Sequence, residues 1–248
     1  NYIPEFKNPQ VLDSLIERDS SFVASKADKE ITIRHLITHT SGIGYGYIDG
    51  DARIKKIYAK AGIIDLFTTN PVTIKENIQK LAALPLHHHP GEKFTYSEGL
   101  DVLGYFIEIV SGMPLDEFFR TRIFDPLDMD DTWFYLPKSK QARLVSIQTI
   151  DDDKWIKYPT TFYDPDYPVK GAKRFFSGGA GLSSTAKDYA IFLNREEYGE
   201  PELTKLISDA VGSCATQYGE EFGHIKDQFL TNRNCIKIQK TPPYGGYH

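Results

Sequence analysis

The sequence of 248 residues is poor in cysteine, with Cys214 and Cys235 as its two. Two thiols can build neither a disulfide framework nor a four-ligand zinc ribbon, and one bridge or two free thiols both stay open. Charge of one sign is also lacking. A net charge of −5 and a pI near 5.8 give no basic surface with which to hold nucleic acid or an anionic membrane. No apolar run approaches the roughly 18 residues that a spanning helix needs. Internal repeats, low-complexity stretches and a signal peptide are missing, and Asn1-Tyr2-Ile3-Pro4 carries no initiator Met, so the true N-terminus is expected upstream. Walker A, G-x-G-x-x-G, G-x-S-x-G and His-Glu-x-x-His patterns are absent as well.

What is present is the balance of an ordinary globular chain, 40% hydrophobic and 25% charged, long enough to bury a sizeable core. Thr32 caps an expected helix over Ile33 to His39, with Gly42 placed for the left-handed turn beyond it. Another helix is expected over Asp51 to Ala61. Thr73 and Glu76 form a capping box for a helix reaching about Leu84. Leu100, Leu103, Ile107 and Val110 recur at helical spacing between Ser97 and Ser111, and Gly112 ends the run. Pro114 suits the first turn of a helix to about Ile123. Arg143 to Tyr167 reads as strands or extended segments, with Asp151-Asp152-Asp153 as a solvated turn. Ser184 is expected to cap a helix through Leu193, and residues 201–211 read as helical. Helices dominate the middle and strand signals gather late.

Four segments carry chemistry or imitate it. Ile31-Thr32-Ile33-Arg34-His35-Leu36-Ile37-Thr38-His39-Thr40-Ser41-Gly42-Ile43 holds His39 and Ser41, which look like a catalytic pair. No carboxylate is spaced to orient the imidazole, so both read as turn-formers. Pro90-Gly91-Glu92-Lys93-Phe94-Thr95-Tyr96-Ser97-Glu98 leads into the helix containing Asp101, Leu103 and Gly104. Phe124-Asp125-Pro126-Leu127-Asp128-Met129-Asp130-Asp131-Thr132-Trp133-Phe134 invites a calcium reading, but the glycine and closing Glu of an EF-hand loop are missing, which favours a structural turn. Ser177-Gly178-Gly179-Ala180-Gly181-Leu182-Ser183-Ser184-Thr185-Ala186-Lys187-Asp188 is a glycine-rich crossing. It contains a Ser-x-x-Lys match at Ser184 and Lys187, which the capping role of Ser184 explains. His87-His88-His89 with Glu92 could hold a metal, but adjacent rings point apart and an exposed turn is the simpler expectation.

Taken together, these segments resemble the penicillin-recognising serine hydrolases: class C β-lactamases, D-alanyl-D-alanine carboxypeptidases and related esterases. Tyr2-Ile3-Pro4-Glu5-Phe6 resembles a segment that follows the nucleophile helix in that family. The resemblance covers most of residues 1–194 and lapses afterwards. It implies an α/β (α+β) fold, an antiparallel sheet flanked by helices plus a mainly helical subdomain. Residues 30–133 would form the helical part and 1–29 with 143–248 the sheet region of one domain, incomplete at both ends.

The resemblance further implies an acyl-enzyme mechanism. Tyr96 would be the catalytic tyrosine, exchanging protons with a nucleophilic Ser, with nearby lysine ammonium groups lowering its phenol pKa. The alternative for Tyr96 is a packed aromatic at a helix start. No Ser-x-x-Lys precedes Tyr96, so the nucleophile and its lysine are expected upstream of Asn1. Glu98 stands where relatives often carry Asn. It is assigned to substrate binding, although it could instead point away or be kept neutral. Tyr244-Gly245-Gly246-Tyr247-His248 faintly matches the family's substrate-side edge strand, giving Gly246 and His248 as further substrate-binding candidates.

The expected function is hydrolysis of an amide or ester carbonyl in a β-lactam, a D-Ala-D-Ala peptide or a small ester. No metal or organic cofactor is implied, and the expected partner is a small-molecule or peptide substrate. Periplasmic or extracellular residence follows from the resemblance alone. An inert binding module on the same fold and a metal-dependent hydrolase built on the histidines are the competing readings.

Overall fold

A computed structural model of the chain describes residues 2–161 and 163–193. The expected helix at 201–211, Cys214, Cys235, Gly246 and His248 lie outside the described residues. Strand β1 (Gln10–Ile16) pairs antiparallel with β2 (Ser21–Lys26), and the register shifts between Leu12 and Ser14. Val11 and Leu12 point into the core, and Leu12 N–H donates to Leu86 O at 2.9 Å.

Helices α1 (Ile33–Ile37), α2 (Ala52–Ala61), α3 (Ile74–Ala82) and α4 (Gly99–Ser111) follow. Their buried residues Leu36, Ile54, Ile57, Ile74, Ile78, Leu81 and Val102 join Val11, Leu12 and Leu86 in one apolar cluster. Each helix end has a local cause. Asp51 Oδ1 accepts the N–H of Arg53 and opens α2, and Gly62, at φ 65°, closes it. Thr73 and Glu76 form their reciprocal box at α3. Gly112, at φ 68°, ends α4.

Three ends differ from expectation. The left-handed residue after α1 is His39, at φ 52°. Thr40 N–H donates to His35 O at 2.8 Å and His39 N–H to Leu36 O at 3.2 Å, so His39 closes the helix in a Schellman arrangement. Gly42, at φ 83°, makes a second, separate turn. Pro114 caps α5 (Leu115–Phe119) rather than entering it, and the chain continues as a wider π turn over Arg120–Phe124. Helix α7 (Ala186–Leu193) is capped by Thr185, not Ser184: Thr185 Oγ1 accepts the N–H of Asp188, and Ser184 Oγ instead meets Thr132 Oγ1 at 2.8 Å.

Strands β3 (Gln148–Asp151) and β4 (Lys154–Lys157) form an exposed hairpin. Asp152 and Asp153 turn it at φ 47° and 58°, the positive angles that a two-residue hairpin turn asks for. A short helix, α6, spans Tyr167–Lys170.

The acidic turn at 125–134 is tied down by side chains. Asp128 is left-handed at φ 53°, and the Asp131 carboxylate takes Lys140 Nζ at 2.6 Å and Arg143 Nη1 at 2.7 Å. Arg120 stacks on the Trp133 ring at 3.7 Å and donates to Thr132 O. The buried Asp188 carboxylate joins this turn to α7, its Oδ2 accepting Asp131 N–H and Thr132 Oγ1–H, each at 2.8 Å. Asp188→Ala leaves the Asp131 N–H without its acceptor and leaves the Thr132 hydroxyl with Ser184 alone. The expected loss is about 2–3 kcal/mol of stability by urea denaturation, with a smaller loss for Asp188→Asn, which keeps an acceptor oxygen.

Candidate functional site

The site is built where the segment after α1 runs alongside the segment before α4. Thr95 N–H donates to His39 O at 2.7 Å, Gly91 N–H to Thr40 O at 2.7 Å, His87 N–H to Gly42 O at 2.7 Å and Glu98 N–H to Gly44 O at 3.2 Å. This pairing brings the first two sequence motifs together.

Tyr96 emerges between them, 55% exposed. Its ring lies 5.1 Å from His39 and 5.2 Å from Tyr45, tilted against both, and Phe94 covers the other edge of His39 at 5.6 Å. The tyrosine is therefore braced on two sides while part of its surface stays open.

His39 and Ser41 are not assembled as a pair. His39 Nδ1 faces Ser97 Oγ at 3.2 Å, and burial lowers its pKa. Ser41 is buried and accepts the N–H of Ile43.

Behind Tyr96 lies a group of buried carboxyls. Asp65 is satisfied by the loop in front of it: Gly46 N–H donates to Oδ1 at 2.8 Å and Tyr47 N–H to Oδ2 at 2.5 Å. Glu98, at 0% exposed, turns inward to Asn77 Nδ2 at 3.4 Å, and its Oε1 has no hydrogen-bond partner among the described residues. Burial pushes its pKa well above the carboxylate range, and Asp65 and Asp101 beside it push the same way. Glu98 thus lies in the interior, with no exposed surface through which to touch a ligand. The structure places the side chain of Glu98, a substrate-binding candidate from the sequence, facing inward rather than into the open space beside Tyr96.

Asp101, on the first turn of α4, faces the glycine-rich crossing. Burial raises its pKa to about 6. The Ser177 hydroxyl and the N–H groups of Gly179 and Gly178 hold that rise back, while Asp65 adds to it. Neither Asp101 oxygen completes a hydrogen bond with a described residue, so these dipoles act without full contact. The crossing presses close. A Cβ at Gly178 would overlap Leu100 O, and one at Gly104 would reach within 3.5 Å of Gly178. Tyr45, between Tyr96 and these acids, has its phenol pKa pushed up by burial first, then by Asp101 and Tyr96.

The histidine run is not an exposed turn. His88 is buried and meets Thr95 Oγ1 at 2.8 Å, His87 faces Asp49 at 2.9 Å, and His89 Nδ1 accepts the N–H of Asp28. The three rings serve three different partners. Among the described residues no group of three or more His, Cys, Asp or Glu is placed to hold a metal ion. No helix among them is long and apolar enough to cross a membrane. The loop at 46–47 also borders a cleft of about 540 Å³ whose lining includes Ile63, Ile64, Phe67, Thr68 and Asn70.

The sequence pointed to Tyr96 through Pro90-Gly91-Glu92 and the helix that follows. It did not point to Tyr45, Asp65 or the His87–Asp49 pair. The one signal available was the abundance of Gly, Tyr and Asp between Gly42 and Asp51.

The profile of the family described as Beta-lactamase matches residues 2–221. The chain belongs to the beta-lactamase family. It is 34% identical over 133 residues to Esterase EstB of Burkholderia gladioli, covering 54% of this chain and 30% of that protein. It is 33% identical over 195 residues to Lovastatin esterase of Penicillium rubens, covering 77% and 45%. Among solved structures it is similar to EstCE1, a hydrolase with promiscuous acyltransferase activity, with a TM-score of 0.64 and 26% identity over 80% of this chain and 51% of that one. The fold is therefore of the β-lactamase/transpeptidase type, mixed α and β. The chain spans less than half the length of these two curated relatives.

Within that fold, the protonation of Asp101 gives a stability signature. Its folded pKa lies above the ordinary 3.8, so the folded chain keeps a proton that the unfolded chain releases between pH 3.8 and about 6. This contribution is fully present below that window and is lost as pH rises through it, on the order of 3 kcal/mol. Urea midpoints measured from pH 4 to 7 are expected to fall more steeply for the parent than for Asp101→Asn. Parallel curves would refute the assignment.

Proposed function

We propose that this chain is the tyrosine-bearing part of a serine hydrolase that cleaves an ester or amide carbonyl through an acyl-enzyme. The observation that carries the reading is Tyr96, half exposed at the head of α4 and fixed between His39 and Tyr45. A phenol held so can exchange a proton with a nucleophile and then with a leaving group without moving its backbone.

In this reading the nucleophilic serine and its lysine come from residues upstream of Asn1. The Ser-x-x-Lys match at Ser184 does not supply them, since Ser184 is engaged with Thr132 across the α7 turn. This stretch alone would be inactive. Small esters are the favoured substrate class. The relatives named as esterases support that choice, and so does the inward Glu98, which leaves no polar side chain two residues after Tyr96 to hold a β-lactam amide.

The test uses the protein extended upstream of residue 1. Intact mass is read before and after incubation with a fluorophosphonate and, separately, a penicillin, alongside turnover of p-nitrophenyl esters. One fluorophosphonate adduct on an upstream serine is expected. Tyr96→Phe should slow its formation and ester turnover by about 10²- to 10⁴-fold. A folded, extended protein that takes neither probe would point instead to an inert module.

A further inference from the structure

The wall beside Tyr96 is anchored more heavily than its packing alone requires. Asp49, buried, stands at the centre of the anchoring. Its Oδ2 faces His87 Nε2 at 2.9 Å and accepts Tyr45 N–H at 2.9 Å, while its Oδ1 accepts Asp51 N–H at 2.7 Å. A carboxylate can only accept, so the imidazole must donate from Nε2. The other ring nitrogen of His87 lies 4.0 Å from the carboxylate of Asp51, the cap of α2. The backbone N–H of His87 holds Gly42 O at the near end of the same loop.

Burial pushes Asp49 up, but the bonds from His87 and from the N–H groups of Asp51 and Tyr45 outweigh it, and its pKa is lowered on balance. It stays charged, so these are charge-assisted bonds, stronger and more directional than neutral ones. The space is also closed: a Cβ at Gly44 would overlap both Asp49 Oδ2 and His87 Nε2. The loop at 42–45 is thus gripped on both sides by one histidine and one aspartate. What it presents is the buried ring of Tyr45, 5.2 Å from Tyr96.

We propose that His87 and Asp49 act as a unit that positions Tyr96, through Tyr45, for proton transfer. The inference rests on the reading of Tyr96 as the proton-moving group. Neither His87 nor Asp49 touches the reacting atoms. They set the angle at which the phenol meets them, where small displacements are costly.

The test uses His87→Gln, Asp49→Asn and the double variant in the protein extended upstream. Each single change is expected to lower kcat for a p-nitrophenyl ester roughly 10- to 100-fold with KM unchanged. The double variant should be no slower than the slower single, because the two residues act as one. A pair that served packing alone would lower the melting temperature and leave kcat per folded molecule as it was.

A second readout does not depend on turnover. In protein carrying 13C-labelled tyrosine, the ring-to-ring NOE between Tyr45 and Tyr96 should weaken in both single variants. An undiminished NOE in both overturns the proposal, as does a lost NOE with unchanged kcat. If the parent hydrolyses no ester and takes neither the fluorophosphonate nor the penicillin, the serine-hydrolase reading fails, and the NOE still decides whether the pair holds the two rings together. Should Asp49→Asn fail to fold, His87→Gln keeps the carboxylate and its backbone donors and carries the test.

Discussion

A carboxyl group taken out of water must find donors or take up a proton, and the region behind Tyr96 is arranged around that requirement. Asp49 and Asp65 draw the N–H groups of Tyr45, Gly46 and Tyr47 toward themselves, which fixes the path of the loop. Glu98 lacks enough donors, and burial pushes its pKa up. Asp101 lies between these cases, facing backbone dipoles that it does not fully engage. The exposed tyrosine is supported by a layer whose shape is electrostatic as much as apolar.

That layer joins segments distant in sequence. Gly42 to Asp51 follows α1, His87 to Glu98 precedes α4, and the glycine-rich stretch at 177–181 arrives last. A small residue allows the final approach, since a Cβ at Gly178 would overlap Leu100 O on the backbone of α4. The aromatic tier of His39, Tyr45 and Tyr96 then closes over the acids.

Local rules made much of the helical frame readable. The Thr73–Glu76 box, the Asp51 cap and the left-handed glycines at 62 and 112 act within a few residues and leave their mark in the sequence. Tyr96 stood out as a candidate because its flanking residues resemble a known family. What escaped the sequence depends on distance or on a choice between neighbours. His87 and Asp49 are 38 residues apart and Thr132 and Asp188 are 56 apart, so no spacing announces either pair. Ser184 and Thr185 are equally good caps on paper, and the selection of Thr185 follows from Thr132 claiming the serine. The inward turn of Glu98 follows from Asn77 on α3, which no local pattern near Glu98 reveals.

His39 meets two demands that seldom coincide. Its backbone sits at φ 52°, a region that glycine enters freely and that asparagine, aspartate and histidine enter more readily than other side chains do. Its ring must also be flat and broad enough to lie between Phe94 and Tyr96. Glycine or asparagine would satisfy the chain path and leave Tyr96 braced by Tyr45 alone, while phenylalanine or tryptophan would restore the second brace and strain the path. Histidine belongs to both sets, so this position has almost no freedom to drift.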